Sequence, residues 1–537
     1  MTRLAILGID GATFEIINPL VAAGELPNIA RLLAQGGQAV LESETPPITP
    51  PAWVSMMSGL NPGRHGVYNF VRRQLGSYQT PLNDSRSYQG CGIAEVLARR
   101  GWSSGLLNVP MTYPPQGVGE LGANSFVISG IPCPRSGSSL FNPPQLEDLC
   151  RELIERDYRC DLDYAPLQGD HEGEVDDLSR YAELRDELFA IERERMCLTQ
   201  GLLRHHSPDF FFTVVGLTDR CQHWFWKFQD ESHPGWSEAG AKLYGETIAD
   251  AYRLADEFLG MLRTEVGESV PIAIVSDHGF GPHHWDFHIN TWLEQEGLLV
   301  RRKTPYWRLG HSRIAGIKIP RPRRQHGPSL LDVDWKRTKA WCSLQGICLN
   351  IVGRESEGMV SPDQATAMLS EIEQRLLLLR LPDGSKAIDF FVRGHEFYSG
   401  PRVAEAPDLQ FQMSGLECLP RDDWDSPNLF TQRRNAGISG THRFPGIFAI
   451  AAPGVKAGVK LKEMHIRDTT PTILHLLGED VPSWMEGEVR AQLGATKRDV
   501  QIAVEDYPGP QHAVVGSVFG SQESSDIEES LRGLGYL

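Results

Sequence analysis

Leu4-Ala5-Ile6-Leu7-Gly8-Ile9-Asp10-Gly11 is a short apolar run that stops abruptly at an acid and a glycine. An unbroken apolar run, unlike an alternating one, predicts a strand buried on both faces, as in parallel sheets covered by helices. The same design recurs downstream. Asp209 to Leu217 (DFFFTVVGL) ends at Thr218-Asp219, Pro271 to Ser276 (PIAIVS) ends at Asp277-His278-Gly279, and Gly446 to Ala452 (GIFAIAA) precedes Pro453-Gly454. Helical patterns lie between these runs. Pro27 opens one, with Ile29, Leu32 and Leu33 on one face and Gly36-Gly37 closing it. Another runs around Tyr181 to Leu203. The reading is an α/β fold: a mostly parallel central sheet with helices on both faces, plus insertions.

Length and composition bound the rest. The 537 residues, 41% of them hydrophobic, suit two to four domains or one large α/β domain with insertions. Acids outnumber bases 69 to 52, giving a net charge of −17, which argues against duplex nucleic acid as a partner. A small anionic substrate in a locally positive pocket stays compatible with it. The nine cysteines form no CxxC pair and read as reduced thiols. The N-terminus lacks a signal-peptide pattern, and no window approaches the roughly 18 apolar residues of a transmembrane segment. A cytoplasmic protein is expected, and oligomeric state is not readable. The core is expected over residues 1–490, with insertions at about 113–185 and 300–335 forming a cap. Residues 491–537 read as a polar, peripheral extension ending in a short helix at Ile527 to Leu534. Within the second insertion, Arg301, Arg302, Lys303, Arg308, Arg313, Lys318, Arg321, Arg323 and Arg324 occur without an acid. That run is either a solvated loop or a basic lid.

In open α/β sheets, ligands bind beyond the carboxyl ends of the strands. Asp10 follows the first strand here. Asp219 follows another, with His223 four residues on and so on the same face of a helical turn. Asp277 and His278 follow a third, and His442 precedes the fourth. Each alone is bland, a cap or a chance spacing. Together they supply oxygen and imidazole donors suited to zinc, manganese or iron. Three carboxylates buried side by side would repel one another without a cation. Thr49 sits among prolines in Glu44 to Trp53, before a helical stretch Ala52 to Leu60, which places its hydroxyl near a helix N-terminus able to hold a phosphate. Such a hydroxyl needs a metal to become a nucleophile at neutral pH. His283, His284 and His288 could line the same pocket, His465 could support it from behind, and His205 and His206 read as surface residues.

Six segments carry a resemblance: GIDGATF (Gly8 to Phe14), LPNIARLLAQG (Leu26 to Gly36), TPPAWVSMMSGLNPGRHGVYNF (Thr49 to Phe70), TDRCQH (Thr218 to His223), SDHGFGP (Ser276 to Pro282) and GTH (Gly440 to His442). In this order they resemble the alkaline phosphatase superfamily, and within it the type I phosphodiesterase/nucleotide pyrophosphatase branch with its group of predicted phosphohydrolases and phosphomutases. The resemblance implies an alkaline-phosphatase-like fold and two divalent metal ions, zinc first, with manganese or iron admitted. One ion would be held by Asp10, Thr49, Asp277 and His278, the other by Asp219, His223 and His442. Thr49 would be the nucleophile, forming a phosphothreonine, and Asn69 would contact a phosphoryl oxygen. The resemblance also makes Asn108 to Tyr113 a candidate substrate-side loop, against the plainer reading of a strand ended by Pro110. A threonine nucleophile, in place of a sulfatase cysteine or serine, points to hydrolysis of a small nucleotide-type phosphodiester or pyrophosphate. A phosphomutase or phosphomonoesterase using the same site is the alternative. A catalytically silent, metal-stabilised binding protein is the alternative of a different class.

Overall fold

A computed structural model describes residues 2–115, 124–162, 178–302, 332–423, 426–434, 437–494, 499–510 and 516–536. Nine strands form the central sheet: β1 (Leu4–Ile9), β2 (Gly37–Glu42), β3 (Ser104–Val109), β4 (Phe126–Ser129), β5 (Phe141–Asn142), β6 (Phe210–Val215), β7 (Ile272–Val275), β8 (Pro445–Ala451) and β9 (Val459–His465). Their spatial order is β9-β2-β8-β7-β1-β6-β3-β4-β5. The stretch β7-β1-β6-β3-β4 is parallel throughout, with Leu4 opposite Phe210 and Ala5 opposite Ile272.

The opening strand shows why an unbroken apolar run was needed. Ala5, Leu7 and Ile9 join one core with Ile29, Leu32 and Phe258, from the helices Pro27–Gln35 and Thr247–Val266. Leu4 and Ile6 join the opposite core with Trp53, Met56 and Met57, from the helix Thr49–Ser58. Both faces are covered, as the sequence predicts. At Gly8 the cover is so close that a Cβ would fall 2.5 Å from the Trp53 ring and 2.8 Å from Val214. Glycine there lets the helix carrying Thr49 lie directly on β1.

One strand runs against the others. β8, the fourth apolar run, is antiparallel to both β7 and β2. Since β8 opposes both, β2 runs in the same direction as β7, and the segments after β1, β2, β6 and β7 all leave the sheet at one edge. The segment before β8 enters at that same edge. An apolar run carries no record of its direction, so this reversal was not readable from sequence.

Two further parts were also not foreseen. Ala340–Ser343, Gly346–Leu349, Leu409–Met413 and Ile388–Arg393 form a small antiparallel sheet. With the helix Pro362–Leu376 it builds a separate apolar cluster around Phe287, Trp292 and Trp341. The tail is not wholly peripheral. On the helix Ser521–Gly533, Ile527 and Leu531 are buried, and Leu534 and Tyr536 beyond it are buried too. Few apolar residues in a polar stretch kept its mean hydropathy low, but Ile527, Leu531 and Leu534 share one helical face. All nine cysteines are free thiols. Among the described residues no helix is long and apolar enough to cross a membrane. Of the basic run, only Arg301 and Arg302 lie within the described residues, and Arg301 pairs with Glu294 at 2.8 Å.

Candidate metal centre

The common edge of the sheet gathers the chemistry. Asp10 leaves β1 into a turn closed by Gly11 at φ 69°, a left-handed conformation that favours glycine, and the Gly11 amide donates to Asp277 Oδ1 at 3.3 Å. Asp219 lies in the first turn of the helix Leu217–Gln229, with His223 one turn on. That helix is tied to the β1 turn, where Thr218 Oγ1 donates to Asp10 O at 2.6 Å and Gln222 Nε2 to Gly11 O at 2.9 Å. Asp277 and His278 follow β7, and His442 lies on the strand Gly440–Arg443, which pairs with Gly279–Pro282. Thr49 opens its own helix, with Pro50 and Pro51 in the first turn, where their missing amide protons cost nothing.

These side chains converge. Ligand atoms of Asp10, Asp277 and His278 lie within 4.8 Å of one another, as do those of Asp219, His278 and His442. His223 Nε2 is 3.1 Å from His442 Nε2 and 3.5 Å from Asp219 Oδ1. Thr49 Oγ1 is 3.3 Å from His278 Nε2. All seven residues are buried.

The fine geometry suits cations. His223 Nδ1 donates to Gly440 O at 3.0 Å, His278 Nδ1 to Gly279 O at 3.1 Å, and His442 Nδ1 to Pro47 O at 2.9 Å. A carbonyl can only accept, so each Nδ1 carries a proton and each ring turns its Nε2 inward. Asp10 Oδ1, Asp219 Oδ1 and Asp277 Oδ2 are buried without a hydrogen-bond partner among the described residues. Each aspartate turns one of these oxygens toward an imidazole: Asp277 Oδ2 lies 3.1 Å and Asp10 Oδ1 3.7 Å from His278 Nε2, and Asp219 Oδ1 lies 3.5 Å from His223 and His442 Nε2. Unpaired buried carboxylate oxygens are costly, and cations are what such a set of donors accommodates.

The electrostatics agree. Burial, then the charges of Asp277 and Asp219, push the Asp10 carboxyl well above the usual range. Asp219 is held well below it; burial opposes this, but His223, His442 and Arg220 prevail. Burial pushes His223 down to about 4. Burial and the nearby His278 and His223 also hold His442 well below its ordinary value. Burial lowers His278 as well, yet Asp277 more than offsets it and the net direction is up.

Two residues of the site were passed over in the sequence reading. Tyr536 Oη donates to Asp219 Oδ2 at 3.2 Å and lies 3.3 Å from His223 Nε2. Arg220 pairs with the same Asp219 oxygen and reaches Asp161 Oδ2 at 2.7 Å. Asp219 therefore has one oxygen occupied by Arg220 and Tyr536 while the other faces the imidazoles. Arg220 lay inside a quoted motif, whereas nothing local marks Tyr536.

The remaining candidates fall elsewhere or nearby. Asn69 is buried, with Oδ1 accepting from the Phe70 amide at 2.6 Å, and the Phe70 ring lies 4.7 Å from that of Tyr536. Asn108 ends near the β3 terminus at φ 57° and lines a small cavity with Asp10 and Arg220. His283 is paired with Asp286 at 3.1 Å, His284 with Glu417 at 3.1 Å, and His288 with Asp423 at 2.6 Å. His465 accepts from the Arg467 amide at 3.3 Å, and Arg467 pairs with buried Glu44 at 3.0 Å. His205 is exposed, and His206 is half-buried.

Comparison with known proteins gives a concordant picture. The sequence model of the family described as type I phosphodiesterase / nucleotide pyrophosphatase matches residues 4–372. No curated protein is matched at the sequence level. Among solved structures, wild-type alkaline phosphatase PafA aligns with a TM-score of 0.52 at 13% identity, covering 92% of this chain and 99% of that one. Phosphonoacetate hydrolase from Sinorhizobium meliloti 1021, in complex with phosphonoacetate, aligns at 0.49 and 13% identity, covering 89% and 95%. Murine ectonucleotide pyrophosphatase/phosphodiesterase 5, in complex with AMP, aligns at 0.48 and 12% identity, covering 89% and 96%.

Proposed function

The chain belongs to the type I phosphodiesterase / nucleotide pyrophosphatase family and is a hydrolase acting on phosphate esters; from that premise we propose that it cleaves a small phosphodiester or pyrophosphate through a covalent phosphothreonine on Thr49. One observation carries the reading. Ligand atoms of three aspartates and two histidines meet in two groups that share His278, whose Nε2 lies 3.3 Å from Thr49 Oγ1, and His223 Nε2 joins them 3.1 Å from His442 Nε2.

The residues are grouped as two ligand sets, Asp10, Thr49, Asp277 and His278 in one and Asp219, His223 and His442 in the other. Two divalent cations, zinc first and manganese or iron after it, would neutralise the attacking and leaving oxygens and lower the pKa of the Thr49 hydroxyl. Thr49 Oγ1 attacks phosphorus in line. Thr49 gives its hydroxyl proton to water as the Oγ1–P bond forms, the opposite P–O ester bond breaks, and the departing oxygen takes up a proton from water. Water then cleaves the phosphothreonine and restores the hydroxyl. The helix beginning at Thr49, stiffened by Pro50 and Pro51, fixes the direction of attack. Asn69 is assigned a hydrogen bond to a phosphoryl oxygen.

The test is metal-dependent turnover. Purified protein supplied with Zn²⁺, Mn²⁺ or Fe²⁺ is screened against bis(4-nitrophenyl) phosphate, pyrophosphates and monoesters. Diester or pyrophosphate cleavage that is lost on chelation supports the reading. Isomerisation of a phosphorylated substrate without phosphate release would make it a mutase. Absence of turnover with every ester and metal would leave a binding protein.

A further inference from the structure

The centre opens on one side into an apolar cleft. The loop Thr45 to Ile48, the small antiparallel sheet and the C-terminal Leu534 to Tyr536 line a narrow cleft of about 50 Å³, with His223 and His442 in its wall. Phe390, Val392, Phe411, Leu419, Ile438 and Leu534 supply most of the apolar surface. No lysine, arginine, aspartate or glutamate is among its described lining residues. Phe390 keeps a large ring 41% exposed.

Away from the histidines, Gln410 is a buried polar group of the cleft with a donor to spare. It is 3% exposed and lines the cleft; Tyr398 Oη holds its Oε1 at 2.7 Å, and its Nε2 has no partner among the described residues. A cleft built this way is selective by what it lacks. A ribose or a second phosphate would bring several polar or charged oxygens against mostly apolar walls that offer no charged side chain, and unpartnered polar groups are costly to bury. A hydrocarbon group gains from the same walls and covers the exposed Phe390 ring.

Resting on the phosphoester-hydrolase reading above, we infer that the substrate is a phosphodiester whose second ester group is apolar, alkyl or aryl, seated against Phe390, Phe411 and Leu419, with Gln410 meeting one polar atom on it. Nucleotides and pyrophosphates are disfavoured by the same walls.

The test measures binding to the metal-loaded protein by calorimetry, using methyl-, butyl- and octylphosphonate and AMP, beside turnover of bis(4-nitrophenyl) phosphate. Each buried CH₂ is worth up to about fourfold in affinity, so butylphosphonate is expected to bind at least about tenfold more tightly than methylphosphonate. Octylphosphonate should bind at least as tightly as butylphosphonate, and AMP more weakly. Phe390→Ser, a change at a position already exposed, should lower the butyl-to-methyl ratio by about threefold. Equal affinities across the alkyl series, or AMP binding more tightly than butylphosphonate, would overturn the inference while leaving hydrolysis standing. Loss of all turnover with the alkyl preference intact would instead count against the hydrolytic reading alone.

Discussion

Tyr536 donates its hydroxyl proton to Asp219 Oδ2 across 3.2 Å, joining residues 317 positions apart at the heart of the site. The bond leaves Asp219 Oδ1 as the oxygen that faces His223 and His442. Outer partners of this kind orient metal ligands, and their loss typically costs about tenfold or more in affinity. Tyr536→Phe keeps the ring against Phe70 and removes only the hydroxyl. Its Zn²⁺ affinity, measured by competition with a chromogenic chelator, should fall about tenfold with the fold intact by circular dichroism. Unchanged affinity would reduce Tyr536 to a packing residue.

Thr49→Ala should reduce diester turnover by about three orders of magnitude or more, since it removes the one hydroxyl of the two proposed ligand sets. Thr49→Ser should retain part of it. Acid-quenched wild-type protein should show a phosphorylated peptide containing residue 49, detected by mass spectrometry and missing from the alanine variant. A phosphopeptide mapping elsewhere would displace Thr49 as nucleophile.

Asp10→Asn should act in opposite directions on the two forms of the protein. Without cations, Asp10 is buried against Asp277 and Asp219, and neutralising it relieves repulsion. The metal-free variant should be more stable than wild type by about 1–3 kcal/mol. Added Zn²⁺ should then raise its melting temperature far less than it raises that of wild type, because a ligand is gone. Thermal melts with and without chelator decide it. A variant stabilised by Zn²⁺ as strongly as wild type would remove Asp10 from the ligand set.

Glu44 and His465 flank Arg467 and should pull stability in opposite directions with pH. Burial, with Arg467 and Arg490, holds His465 down to about 3 from an ordinary 6.5. Between those values the unfolded chain binds the proton and the folded one does not, so stability falls as pH drops through that window. Burial raises Glu44 from 4.5 to about 7, with Arg467 opposing. There the folded chain binds the extra proton, so stability is lost as pH rises toward 7. Urea unfolding of metal-free His465→Asn should show less acid loss than wild type, and Glu44→Gln less loss toward neutral pH. Each difference is bounded by about 1.4 kcal/mol per pH unit. Parallel pH profiles for both variants and wild type would refute the assignment.

Gly8→Ala should cost about 1–3 kcal/mol, because the new methyl meets the Trp53 ring at 2.5 Å and β1 cannot move away. The helix that shifts is the one that begins at Thr49, so activity should drop as well. Adding Trp53→Phe should recover part of the stability. A Gly8→Ala protein as stable as wild type would show that this contact has slack.

The parts legible in the sequence were those written locally. β1, β6 and β7 are unbroken apolar runs, and Asp10, Asp219 and Asp277 stand where such runs end. Their meeting at one edge follows from parallel pairing alone. His442 was visible as a residue before a fourth run, but its route to the same edge depends on β8 running backwards, which periodicity does not encode. The small sheet was missed because three of its strands are runs of only four or five residues, and the fourth, Ile388–Arg393, mixes buried and exposed positions. Tyr536 was missed because its partner lies in another part of the chain, and a lone tyrosine in a polar tail has no local signature.

The spread of these residues along the chain also orders events in time. The three aspartates and three histidines facing the centre run from Asp10 to His442, and β8 must insert between β2 and β7 before His442 can reach its neighbours. Such long-range pairings close late, after the chain entropy of many intervening residues has been lost. The complete donor set is therefore a property of the nearly finished fold, and nascent chains present only fragments of it. High-affinity loading of cations should accordingly be among the last steps of maturation, so that phosphoester cleavage is confined to molecules that have already folded.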